Sequence, residues 1–176
     1  MDRTGYQSNS GYRFVIVGLA AFLAFSCGLS MFAIGPIVPL IIDDYGINNS
    51  TVGLLTSIIF LVHVVFAIPA SLLVGRIGLK TLIGLGGVMG STPLLSFLAS
   101  DSFPFLLAIR GIYGGGFILL FPAAGPLFMW WFRPKDLALV NGIFMVSVSL
   151  GLATSAFLVV PLSEAMGWEV ALSLFG

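Results

Sequence analysis

Five apolar runs separated by short polar breaks set the plan of this chain. They cover residues 14–42, 51–74, 81–98, 103–132 and 137–162, and a sixth begins at 170 and extends to 176. Each of the five is continuous and about eighteen residues or longer, the length a helix needs to cross a hydrocarbon core about 30 Å thick. The strict alternation of barrel strands is absent. Inside lipid every backbone N–H and C=O must be paired within the protein, which leaves helices and closed barrels as spanning structures. The pattern therefore predicts an all-α membrane protein: a polytopic bundle of five full transmembrane helices plus the start of a sixth. The first run extends too far for a secretory leader, and no small-residue cleavage site ends a short apolar core. Residues 1–13 form a polar N-terminal tail and 14–176 a single transmembrane bundle.

The breaks between runs carry the turn signals. Residues 75–80, Gly-Arg-Ile-Gly-Leu-Lys, form a short basic turn that makes the second and third runs antiparallel neighbours. Asp43, Asp44 and Tyr45 close the first helix, and Asn49 or Ser50 is the expected N-cap of the second. Asn48 and Asn49 also begin formal glycosylation sequons; the shortness of the loop favours capping. Pro36 and Pro39 sit late in the first run, Pro69 late in the second, Pro122 and Pro126 late in the fourth and Pro161 late in the fifth. This weak symmetry fits two three-helix repeats of opposite orientation, in which Gly/Pro-interrupted segments mark a transport site. Gly86 and Gly90 form a small-xxx-small pair suited to close helix packing, and Gly114 belongs to a glycine run with the same use.

Composition agrees with the pattern. The chain is 59% hydrophobic and 8% charged, where soluble domains carry roughly a quarter charged residues. Mean hydropathy is +1.13. The formal charge of zero gives no sign of a nucleic-acid partner. The lone Cys27 excludes an internal disulfide framework. No phosphate loop, metal-ligand cluster or nucleophile–base set is present, so neither an enzyme, a cofactor nor a metal is expected.

Charge gives the orientation. Of the seven basic residues, Arg3, Arg13, Arg76, Lys80, Arg133 and Lys135 fall before the first run or after the second and fourth. The loops after the first, third and fifth runs hold Asp43, Asp44, Asp101, Glu164 and Glu169 and no cation. The positive-inside rule then places the N-terminus in the cytoplasm and the protein in the cell membrane. The seventh cation, Arg110, lies inside the fourth run. A charge at the centre of a spanning helix costs on the order of 2.5–3.5 kcal/mol on insertion scales. Such a residue faces a bundle interior or wet cavity, or else snorkels to the interface. His63 is the other strongly polar group at depth, open to a proton-coupling role or to plain packing. No acidic residue lies within the five runs.

At this point the motifs resemble the major facilitator superfamily. Residues 69–80 resemble its signature between helices 2 and 3, roughly G-x-L-a-D-R-x-G-R-K: Arg76, Gly78 and Lys80 match, while Ser71 stands for the first glycine, Gly75 for the aspartate and Leu79 for a basic residue. Arg110-Gly111-Ile112-Tyr113-Gly114 resembles the helix-4 signature R-x-x-x-G. Residues 131–136 with Ala138 and Gly142 resemble the entry to helix 5, and Gly167-Trp168-Glu169 the entry to helix 6. The helix-5 pattern G-x-x-x-G-P of proton-linked drug antiporters is missing from 141–162. The resemblance implies the N-terminal part of a twelve-helix fold, its C-terminal half absent, and a secondary active transporter moving a small solute by alternating access.

The solute and coupling candidates are Arg110, His63, Tyr113 and Phe117, with an anionic solute matched to Arg110 and a proton or other ion coupled. Ser71, Gly75, Arg76, Gly78 and Lys80 form the cytoplasmic gate motif. Pro36, Gly86, Gly90, Gly114 and Pro122 are the packing candidates. Because Gly75 replaces the gate aspartate, a non-transporting sensor on the same fold is an alternative, and a non-functional remnant a third.

Overall fold

The computed structural model describes residues 10–99 and 102–176, and omits the side chains of Ser10, Ser71 and 73–76. The N-terminal tail before residue 10 and Asp101 therefore lie outside the described residues. Seven α-helices follow one another: α1 Ser10–Phe32, α2 Ile34–Tyr45, α3 Asn49–Ile77, α4 Leu79–Gly90, α5 Phe103–Trp131, α6 Pro134–Met166 and α7 Trp168–Leu174, with a 3-10 helix Thr92–Leu98 between α4 and α5. No strand occurs among the described residues. The helices compose five segments long and apolar enough to cross a membrane: 11–45, 49–70, 79–98, 103–131 and 134–166. Large apolar side chains cover the outside; Phe157 is 81% exposed, Val64 78% and Phe14 77%. In water such a surface is untenable, and in lipid it is the expected one.

The boundaries differ from expectation where proline and glycine act. The first run is two helices joined at Ala33. Pro36 has no N–H to give the Phe32 carbonyl four residues earlier, which weakens the helix at that point. The third run changes helix type at Thr92, beside Pro93, which has no N–H to give the Met89 carbonyl. Thr92 fills the gap, its hydroxyl donating to that oxygen at 2.7 Å. The turn expected over 75–80 is a single residue, Gly78, because α3 continues to Ile77 and α4 starts at Leu79. Gly78 adopts φ +81°, open to glycine at little cost, and its carbonyl accepts the Leu82 N–H. Asn48, not Asn49 or Ser50, caps α3: its Oδ1 accepts from the Thr51 N–H at 2.8 Å and from the Thr51 hydroxyl at 2.9 Å. The fifth run starts earlier than its apolar pattern, with Pro134 in the first turn of α6 and Asp136 favourably placed beside the helix N-terminus.

Glycines set the helix spacing. α1 packs chiefly on α6, and α5 on α3 and α4. At the α1–α6 crossing a Cβ on Gly28 would collide with the Val148 carbonyl, and one on Gly151 with the Phe25 carbonyl. On α5, a Cβ on Gly114 would lie 3.1 Å from Ile59 Cα, and one on Gly116 would lie 2.5 Å from the Gly90 N and 2.7 Å from the Gly86 oxygen. Backbones thus approach closely at three helix pairs, the usual route to tight packing where water gives no drive to associate. At the end of the bundle away from the N-terminus, α2, α3, α5, α6 and α7 converge on one apolar cluster with Ile37, Ile41, Leu55, Leu106, Val159 and Leu172 at its centre. Tyr45 and Trp168 seal it: the Tyr45 hydroxyl donates to the Ala99 carbonyl, and Trp168 Nε1–H donates to Asp44 Oδ2 at 3.1 Å.

Candidate functional site

Arg110 lies on α5 with none of its surface exposed. The first two turns of α5 place it inside the bundle, because Leu106, Ile109, Tyr113 and Gly114 recur around it on the buried face. Its Nη1 donates to the carbonyl oxygen of Ser30 on α1 at 2.7 Å. Its Nε and Nη2 are buried without a hydrogen-bond partner. These two nitrogens form one edge of the guanidinium, the fork that receives two oxygens of a carboxylate or related anion. Every described acidic residue sits at or beyond a helix end: Asp43 and Asp44 in the last turn of α2, Asp136 in the first turn of α6, Glu164 in its last, and Glu169 in α7. Arg110 is therefore a buried cation without a carboxylate partner among the described residues. Of the two readings the sequence allowed, burial is the observed state.

Three residues on, Tyr113 is also buried, and its hydroxyl donates to the Cys27 carbonyl at 2.8 Å. Arg110 and Tyr113 thus hold two carbonyls of α1 in the turn just below the Ala33 break. Ser30 is tied a second way, its hydroxyl donating to the Phe175 carbonyl beyond α7. A cavity of about 160 Å³ adjoins this junction, bordered by Ser26, Cys27, Ser30 and Tyr113. His63, on α3, and Phe117, two turns below Arg110 on α5, are half-buried and lie ring to ring, centroids 5.1 Å apart. Of the four solute candidates, His63 and Phe117 meet across α3 and α5, whereas Arg110 and Tyr113 turn to α1.

The gate motif lies at the opposite end of α3. Gly78 forms the turn and Lys80 is exposed at the start of α4; the side chains of Ser71 and Arg76, and Gly75 with them, are outside the described residues. Of the packing candidates, Gly86, Gly90 and Gly114 sit at helix contacts, whereas Pro36 and Pro122 are on exposed faces and α5 runs unbroken through Pro122. Sequence reasoning missed Ser30, Gly28 and Gly151. Ser30 and Cys27 act through backbone oxygens, for which residue type carries no signal. Gly28 and Gly151 lie 123 residues apart, and neither belongs to a Gly-xxx-Gly pair; the available signal was the weaker one of Ala24 four residues before Gly28 and Ser147 and Ser155 four residues either side of Gly151.

The sequence model of the Major Facilitator Superfamily matches residues 20–176. A probable anion transporter 1, chloroplastic, of Oryza sativa subsp. japonica is 33% identical over 140 residues, 76% of this chain and 26% of that protein. An uncharacterised protein of Campylobacter jejuni is 30% identical over 94% of this chain and 50% of its own length. A probable nitrate transporter of Staphylococcus haemolyticus is 23% identical over 93% of this chain and 41% of its own. The chain thus spans half or less of the length of these relatives. No solved structure matches. With its multi-pass helical bundle and a family match over most of its length, the chain belongs to the Major Facilitator Superfamily.

Proposed function

We propose that this chain is the N-terminal part of a secondary active transporter that carries a small anionic solute by alternating access. The observation that carries this reading is Arg110: a fully buried guanidinium, anchored by Nη1 and presenting an unpaired Nε–Nη2 edge. A buried charge without a counter-charge is costly to keep, and a solute anion supplies the missing charge. The names of the rice and staphylococcal relatives, anion and nitrate transporter, support an anion as cargo. Solute binding at an interface with a second helical half, with a coupled proton or other ion, completes the proposal. The distribution of cations supports an N-terminus in the cytoplasm and residence in the cell membrane.

The test is solute uptake into proteoliposomes by the protein carrying this chain. Arg110→Ala is expected to reduce anion uptake at least a hundredfold. Arg110→Lys is expected to restore little of it, because one ammonium cannot bind the Ser30 carbonyl and offer a two-donor edge as well. Normal uptake by both variants would refute the role given to Arg110. A second reading, a sensor that binds solute without moving it, draws on Gly75 at the position where the family signature has an aspartate. It predicts saturable binding with no flux.

A further inference from the structure

The helix contacts made at glycine repeat along the chain. On α1, Gly28 admits the Val148 carbonyl of α6; on α5, Gly114 admits Ile59 of α3. Two residues further on, Gly116 of α5 receives the backbone of α4 at Gly90, and Ser30 of α1 donates its hydroxyl to the Phe175 carbonyl, just past α7. One offset of 86 residues carries Gly28 to Gly114, Ser30 to Gly116 and Gly90 to Gly176. The first run thus meets the fifth as the fourth meets the second, and the sixth meets the first as the third meets the fourth. Along α5 that last contact is extensive, since α4 packs chiefly there. The matching side of α1 borders a groove instead.

The groove has two connected parts. Beside Gly176, the cavity of about 160 Å³ lies between Ser30 of α1 and Gly87 of α4. Towards the start of α1 it opens into a cleft of about 570 Å³, walled by Leu19 and Ile83 and floored by Ala124 of α5. Leu23 and Leu120 border both parts. From Ser30 to Tyr12 the groove follows α1 for about 27 Å at 1.5 Å per residue, nearly the hydrocarbon thickness of about 30 Å. Gly87 has open space where its Cβ would be, so another backbone can approach α4 there. A Cβ on Gly176 would collide with the Leu94 backbone, so the chain past α7 lies against the third run at the mouth of the groove. We propose that the groove seats a sixth membrane-spanning helix, the segment of the same polypeptide that continues α7 past Gly176, packed between α1 and α4. This rests on the reading above that the chain is the N-terminal part of a longer protein. The internal repeat selects this occupant over a lipid chain or a second copy, because a helix of the same chain, α4, covers the equivalent side of α5.

The experiment is site-directed photo-crosslinking of the full-length protein in native membranes. Leu23 and, in a separate variant, Ile83 are replaced by p-benzoylphenylalanine, and the products are mapped by mass spectrometry. Phe157, 81% exposed on α6, is the lipid-facing control. The expected dominant product at Leu23 and at Ile83 is a link within one polypeptide to the twenty or so residues after Gly176, with lipid adducts dominant at Phe157. Either groove position suffices if the other variant fails to fold. Lipid adducts alone at the groove positions would overturn the helix as occupant. A covalent dimer would replace it with a second copy, and links to a more distant part of the same polypeptide would overturn the assignment to the segment after Gly176. None of these outcomes depends on transport, so they leave the reading of Arg110 untouched. A second measurement uses thermal unfolding of the same full-length protein. Gly87→Leu fills the groove and is expected to lower the midpoint by about 5 °C, while Val88→Leu, on the exposed face of α4, leaves it within about 2 °C. Equal shifts would overturn the close approach at Gly87.

Discussion

A single guanidinium at the centre of this bundle fixes α1 through one nitrogen, while its opposite edge is buried without a hydrogen-bond partner. Tyr113 leaves no such remainder; its hydroxyl satisfies one carbonyl of α1. Tyr113→Phe is therefore expected to lower stability by about 0.5–1.5 kcal/mol, the usual net worth of one hydrogen bond. It should leave the solute preference of the proposed transporter intact, as thermal unfolding in detergent and uptake competition would report. A change in solute preference with no loss of stability would mean that the hydroxyl faces the solute. At this scale the sequence was partly legible. An arginine within an apolar run announces itself by its cost in lipid, and Arg110 could be singled out without coordinates. Its partner could not, because the Ser30 carbonyl that receives it is a backbone atom 80 residues away along the chain.

Among the helices, proline and glycine positions decide the outcome more than apolar periodicity does. The apolar runs located all five spans to within a few residues at most ends, since a residue's cost in lipid depends on its own polarity. They left the break at Ala33, the 3-10 helix after Ser91 and the one-residue turn at Gly78 unmarked, because those depend on which backbone N–H is missing and what replaces it. Gly78→Ala forces a side chain into φ +81° and is expected to cost about 1–3 kcal/mol. Gly151→Ala pushes a Cβ into the Phe25 carbonyl, and overpacking of this kind typically costs about 1–3 kcal/mol. Gly142→Ala, with open space around it, is the matched control. It should be neutral or stabilising by up to about 1 kcal/mol, from the better helix propensity of alanine. Thermal shifts of the three variants, measured side by side, check the ordering; equal shifts would mean that the α1–α6 contact is not tight.

For the molecule as a whole, the described loop cations gather at one end, with Asp136 beside them, and the other described acids at the opposite end. Lys80 and Tyr12 border one cleft, of about 570 Å³, and Asp43, Asp44 and Glu169 border another, of about 490 Å³, at the opposite end. Cys27 is buried, so membrane-impermeant maleimide has little native background. Single cysteines at Asn48 and at Lys135 are expected to label from opposite sides of the membrane, Asn48 from outside intact cells and Lys135 only after permeabilisation. Labelling of Lys135 in intact cells would reverse the orientation argued from charge. The meeting of Gly28 with Gly151 has a different kind of consequence. Because each glycine admits the backbone of the facing helix, the two crossings must stay in phase along both α1 and α6. A one-residue insertion between Phe25 and Gly28, or between Val148 and Gly151, would turn the following helix by about 100° and carry a side chain into the gap. Insertions and deletions should therefore be excluded from these two short intervals, while the stretch from Gly46 to Asn48, which touches neither crossing, remains open to changes in length.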